Sequence, residues 1–283
     1  MSSLEMQRVL ARVLTDISFR EAFWTDSESA CAHYSLRPEE FQALALLPID
    51  RIDTFAGMLG NKRLDLALRA FPITRFLLTS DFAHDYCQRY CQENPSVPVA
   101  ASPMLCEAKS LASFIRRLIG DGELTNRYLR EVLDYEYAIF VLGHDPEVSA
   151  SAEGFARRKR NRDSYGNAVI SDADRPMTGI HVQAAESDYD LGPLISQLRN
   201  RVIPDCAAAK TWLLFVKQPH RVDVSLSKIN CHTYRLIRLA DGNRTIQEIC
   251  NEMSTYGLTS DIDLNSRCKS MIARLINLNV LVV

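Results

Sequence analysis

His84, Cys87 and Cys91 fall at i, i+3 and i+7 of a stretch with helical spacing, so an imidazole and two thiols can face one side of a helix. A soft ion such as zinc accepts those ligand types. A structural zinc site, however, takes four protein ligands, and no second His or Cys pair is spaced to complete this one. Tyr86 and Tyr90 compete for the buried side of the same helix, so the three are read as ordinary core or surface residues and the expected metal ligand set is none.

Glu136 lies on an apolar stripe between Val132 and Phe140. A carboxylate there needs a partner or must shift its pKa, and Arg69 or Arg130 is the expected partner in a structural pair. The sequence has no Gly-rich phosphate loop, Gly-x-Ser-x-Gly elbow, His-Glu-x-x-His or facial triad. Its six histidines, at 33, 84, 144, 181, 220 and 232, are dispersed. No catalytic residue and no cofactor is therefore expected on this chain.

The elements that could position a site are clearest between Lys210 and Val283. Thr211–Lys217 is a continuous apolar run of the kind a sheet buries on both faces. Gln218-Pro219-His220 breaks it. Arg221–Ser227 then alternates, with Val222, Val224 and Leu226 on one face and Asp223, Ser225 and Ser227 on the other, which predicts a half-wet strand at a sheet edge. Asn230 is a suitable N-cap for a helix through Cys231, Tyr234 and Ile237, which Gly242 ends. Thr245-Ile-Gln-Glu248 is a capping box. A last helix from about Asp263 turns Cys268, Met271, Ile272 and Leu275 inward, and its other side carries Ser266, Lys269, Ser270, Ala273 and Arg274. Val280–Val283 is expected to pack back as an apolar end.

The segment Leu236-Ile-Arg-Leu-Ala-Asp-Gly-Asn-Arg-Thr-Ile-Gln-Glu-Ile249, in this setting of strands and helices, resembles the PqqD-like RiPP recognition element. That module is a small winged-helix domain that holds the leader of a ribosomally made precursor peptide. Gly179–Ala184 followed by Tyr189–Ile195 resembles the strand and helix that precede it, making a three-stranded sheet. Upstream, Leu68–Thr74, Phe82–Tyr86, Ala112–Ile115 and Tyr128–Glu136 resemble the helical domain of partner proteins of multinuclear non-haem iron-dependent oxidative enzymes, in particular the TglI-like family of the 3-thiaglutamate pathway.

The resemblance implies a non-catalytic subunit that binds a precursor or carrier peptide by strand addition and presents its C-terminal cysteine to an iron-dependent oxidative enzyme, in a heterodimer. Iron is then expected on the partner enzyme. The peptide-binding residues implied are Arg221, Val222, Asp223, Val224, Ser225, Leu226 and Ser227, with Ser266, Lys269, Ser270, Ala273 and Arg274 on the last helix. Because the recognition element shares its fold with winged-helix regulators, DNA binding is the alternative.

The 283-residue length exceeds what one core usually organises, so more than one domain is expected. The fold class is α+β: a mainly helical N-terminal bundle, then a winged-helix domain with a three-stranded antiparallel sheet and three helices. The expected divisions are a helical segment at 1–60, a bundle at 61–148, a linker or loop at 149–177 and the recognition domain at 178–283. The linker contains a basic run, Arg157-Arg-Lys-Arg-Asn-Arg162, read mainly as a solvated surface. A hydrophobic content of 47%, a charged content of 24% and a formal charge of −2 are ordinary for a globular protein and do not favour nucleic acid. No apolar run approaches a membrane span and no secretory h-region opens the chain, so the expectation is a cytoplasmic protein with no membrane partner. The eight cysteines include no Cys-x-x-Cys and read as small buried apolar residues.

Overall fold

The computed structural model describes residues 4–95, 102–165, 170–221, 223–255 and 263–283, with backbone alone for 159–165 and 263–265. The chain divides between Arg130 and Glu131 into two units. This division falls inside the stretch expected as one bundle, 61–148.

The first unit is helical. Its elements are α1 (Leu4–Thr15), α2 (Ile17–Thr25), α3 (Ser27–Cys31), α4 (Pro38–Ala45), α5 (Ile49–Leu68), α6 (Pro72–Leu77), α7 (Phe82–Glu93) and α8 (Pro103–Gly120). Capping fixes several starts. Asp16 accepts the Phe19 N–H at 3.0 Å and Asp26 that of Ser29 at 3.0 Å. At α4, where Arg37 replaces a better cap, Glu40 reaches back to the Arg37 N–H at 3.1 Å and to its guanidinium at 2.8 Å. The N-terminal helices close on Val9, Val13, Phe19, Phe23 and Leu44. α5 is the central strut and packs against α1, α7 and α8. α8 turns Leu111, Phe114, Ile115 and Leu118 inward, and the Phe114 ring meets Tyr90 edge-on at 5.5 Å.

The second unit holds nearly all of α9 (Leu129–His144), followed by α10 (Pro146–Tyr165), β1 (Met177–Thr178), β2 (Val182–Ser187), α11 (Leu191–Arg199), β3 (Thr211–Lys217), β4 (Val224–Ile229), α12 (Cys231–Leu239), α13 (Ile246–Ser254), α14 (Asp263–Asn277) and β5 (Leu281–Val282). α10 is a correction to the expected linker: residues 149–165 continue a helix. Val148, Ala152 and Phe155, at i, i+4 and i+7, are buried and give that helix an apolar face before the basic run begins.

The sheet is antiparallel with order β2-β3-β4, and β1 pairs with β5, so the apolar tail does fold back. Residues of β3 alternate between two cores. Leu214 and Val216, with Val182, Ala184 and Ile229, pack against Leu236, Ile249 and Ile272 of α12, α13 and α14. The other face carries Leu213, Phe215 and Lys217; Phe215 meets Tyr135 of α9 at 6.0 Å, and β3 also contacts α10. A sheet covered on both faces explains why β3 reads as unbroken apolar sequence.

The motif at 241–248 is consumed by local structure. Asp241 accepts the Asn243 N–H at 2.8 Å, Gly242 sits at φ 80°, and Arg244 pairs with Asp241 at 2.7 Å and with Glu252 at 3.2 Å. Thr245 and Glu248 complete the box, N–H to carboxylate at 2.7 Å and N–H to hydroxyl at 3.2 Å. These residues stabilise a turn and a helix start.

Candidate peptide-binding border

β4 forms one border of the sheet, and its register with β3 decides which backbone groups face outward. Lys217 pairs with Val224, Phe215 with Leu226 and Leu213 with Lys228. The Gln218 N–H donates to the Asp223 carbonyl at 3.4 Å, so pairs 218/223, 216/225, 214/227 and 212/229 are the hydrogen-bonded ones. The opposite border gives the same phase. The Lys217 N–H donates to His181 at 2.9 Å, which assigns residues 211, 213, 215 and 217 of β3 to β2. Val224, Leu226 and Lys228 therefore direct their N–H and C=O away from β3, and among the described residues no strand pairs with them.

The side chains follow the same alternation. Val224, Leu226 and Lys228 share the face of Phe215, while Ser225, Ser227 and Ile229 share that of Leu214, toward α12, α13 and α14. Leu226 is 42% exposed, because a border strand has a neighbour on one side alone. Arg221 and Asp223 lie in the connection before β4 and are exposed; Val222 lies outside the described residues. Lys228, beyond the expected strand end, pairs with Asp190 at 3.1 Å.

On α14, Ser266, Ser270 and Arg274 are exposed and Ala273 is half-buried. Lys269 is held by Asp172 at 2.5 Å. The inward stripe of Cys268, Ile272 and Leu275 is buried as expected, and Ile276 joins it. Met271 receives the Thr233 hydroxyl at 3.5 Å, which ties α14 to the first turn of α12, the helix that leaves β4 directly. Among the described residues, Arg221 and Arg274 are cations with no acidic partner.

The β4 connection is anchored by Lys217, which is 3% exposed; its ammonium donates to the carbonyl of Arg221 and to that of Gly143 at 3.3 Å. A buried ammonium so placed satisfies one carbonyl of the connection and one in the last turn of α9.

His84, Cys87 and Cys91 do share one side of α7: all three line a cavity of about 950 Å³ inside the first unit. Among the described residues, no three His, Cys, Asp or Glu side chains stand together as a metal set. The cavity wall includes Arg63, whose Nε donates to Glu107 at 2.6 Å; the Tyr90 hydroxyl donates to the other oxygen of that carboxylate at 2.6 Å. The Cys87 thiol donates to Cys91, and this hydrogen bond, helped by Arg63, brings Cys91 down to about 7; Cys87, as the donor and half-buried, is pushed up. Burial, then the bond to Glu107, raises Tyr90. Arg63 and Gly60, which also lines the cavity, were missed in the sequence because neither carries a motif and both come from another helix, α5. Glu136 is buried, while Arg69, one of its expected partners, pairs with Asp65 at 3.1 Å in the first unit.

Compared with protein-family models and with curated proteins, the chain finds no match. No helix among the described residues is long and apolar enough to cross a membrane.

Proposed function

We propose that this chain is a TglI-like, non-catalytic partner subunit that captures the leader of a ribosomally made precursor peptide as a fourth strand on β4 and presents the peptide's C-terminal cysteine to a multinuclear iron oxidative enzyme. The observation that carries the reading is the outward backbone of Val224, Leu226 and Lys228 at a border with no strand beyond it among the described residues. Each added ladder bond contributes roughly 0.5–1.5 kcal/mol net, so a short run of them with apolar anchors supports micromolar capture after association costs. Alternate side chains of the added strand stand on the α12–α14 side. Arg221 and Arg274 favour acidic residues in that peptide. The winged-helix description of the sheet and the last three helices belongs to the same proposal, as do the heterodimer with the enzyme, iron on the enzyme alone, and a cytoplasmic setting.

DNA binding is the weaker reading. α13, the second of the three terminal helices, exposes Glu248 and Asn251 and pairs Glu252 with Arg244, which suits neither phosphates nor base edges. The run at 157–162, which lies on α10, is the feature that favours it.

The test is titration of labelled candidate precursor peptides by fluorescence anisotropy. Val224→Pro removes an outward N–H without breaking a β3 bond, so peptide affinity is expected to fall about tenfold with the fold retained. Unchanged affinity in that variant, or a salt-sensitive shift of a DNA probe with no peptide signal, rejects the proposal.

A further inference from the structure

The dithiol of the first unit points to a covalent site separate from β4. Cys87 and Cys91 lie one helical turn apart on α7, and both sulfurs rest against Gly60 of α5. A Cβ at position 60 would meet Cys91 Sγ at 3.2 Å, closer than usual, and Cys87 Sγ at 3.4 Å, so the absent side chain leaves room chiefly beside Cys91. The same sulfurs line the cavity of about 950 Å³, a volume at the upper end for small-ligand pockets. Its wall carries polar groups as well as apolar surface, among them Asn61 and two ion-paired guanidiniums, Arg20 with Asp53 at 3.1 Å and Arg63 with Glu107 at 2.6 Å.

We propose that Cys91 is a reversible S-thiolation site for small peptide-like thiols of the glutathione class, bound in this cavity. The Cys91 thiolate attacks one sulfur of the thiol's disulfide; a Cys91–sulfur bond forms, the disulfide bond breaks, and the second half leaves as a thiolate that takes a proton from water. The disulfide is the oxidant, its departing half is reduced, and Cys91 is oxidised to the mixed disulfide.

Three features converge on Cys91. The Cys87 S–H and the Arg63 charge favour the thiolate there. Cys91 lines the cavity, which is its route to ligand, with 9% of the residue exposed. Finally, Cβ atoms four residues apart on a helix are about 5–6 Å from each other, beyond the ~3.5–4.5 Å that a disulfide spans. Cys87 therefore cannot displace the captured thiol without unwinding a turn, and the adduct persists until an external thiol reduces it.

The test treats the intact, reduced chain with glutathione disulfide at neutral pH and follows intact mass and peptide maps with time. The expected result is one glutathionyl group on Cys91, added about tenfold faster than on the exposed Cys106 and removed by dithiothreitol. Cys91→Ser abolishes that adduct and Cys87→Ser keeps it. Gly60→Ala, which crowds Cys91 Sγ, slows the reaction with an unchanged circular dichroism spectrum. Modification of Cys106 ahead of Cys91, or a Cys87–Cys91 disulfide in place of the adduct, overturns the proposal. Val224→Pro leaves thiolation unaltered, so failure here and failure of peptide capture are separately readable.

Discussion

The two units each contain a hydrogen-bonded pair of cysteines, and the pairs differ in what surrounds them. Cys87 and Cys91 belong to one helix and look into a cavity; Cys250 and Cys268 come from α13 and α14 and are 4% and 5% exposed within the second core. The electrostatics are alike. In both, the donor thiol is raised and the acceptor lowered, Cys91 by Cys87 and Cys250 by Cys268. With like electrostatics and different surroundings, the two pairs separate the effect of a thiolate-favouring hydrogen bond from that of access, which the neighbouring helices set.

The sharpest way to break this contrast is to open the second core. Ile272→Ala removes a fully buried side chain of α14 and is expected to cost about 2–5 kcal/mol in chemical denaturation. Cys250 and Cys268 then become labelled under native conditions, while the rate at Cys91 stays as it was. A smaller change sharpens the other half. Glu107→Gln removes a charge that opposes the Cys91 thiolate, so the pH midpoint of Cys91 labelling moves down, at a stability loss of roughly 1–3 kcal/mol from the weakened Arg63 and Tyr90 contacts. An upward shift of that midpoint contradicts the assigned electrostatics.

The smallest expected effect separates the units by acid. His181 packs edge-on against Phe155 at 4.4 Å; its Nδ1 lies 3.2 Å from the Ser151 hydroxyl and its Nε2 2.9 Å from the Asn279 carbonyl. Burial holds its pKa below the ordinary value, with Arg158 adding to the shift. A base depressed in this way contributes stability that is complete above its unfolded pKa of about 6.5 and is lost as pH falls through the lower folded value. The second unit should therefore melt at lower temperature as pH drops below about 6.5, and His181→Gln should flatten that slope. A slope unchanged by the substitution assigns the effect to other groups.

Much of the second unit was legible because its signals are local. Thr211–Lys217, the Asn230 cap and the Thr245/Glu248 box appear where spacing put them, since each depends on neighbours within a few residues. β4 starts at Val224 rather than Arg221 because the connection takes a left-handed residue, His220 at φ 59°, and the Lys217 anchor before extended pairing resumes. It runs on through Lys228 and Ile229, which alternation alone could not claim once a lysine ended the pattern. In α10, charge at 157–162 masked an apolar face that Val148, Ala152 and Phe155 already spelled. The shared side of His84, Cys87 and Cys91 followed from helical spacing. The cavity did not, because α5 supplies Gly60 and Arg63 from far away in sequence, and nothing local marks a glycine as room left for sulfur.

Lys217 has one more implication. Slipping β4 by a single residue along β3 would invert every side chain of the border, and the ammonium clasped to the carbonyls of Arg221 and Gly143 resists that slide. Any visiting strand thus meets a ruler with a fixed zero: the choice of which of its residues turn to the helices is made before it arrives.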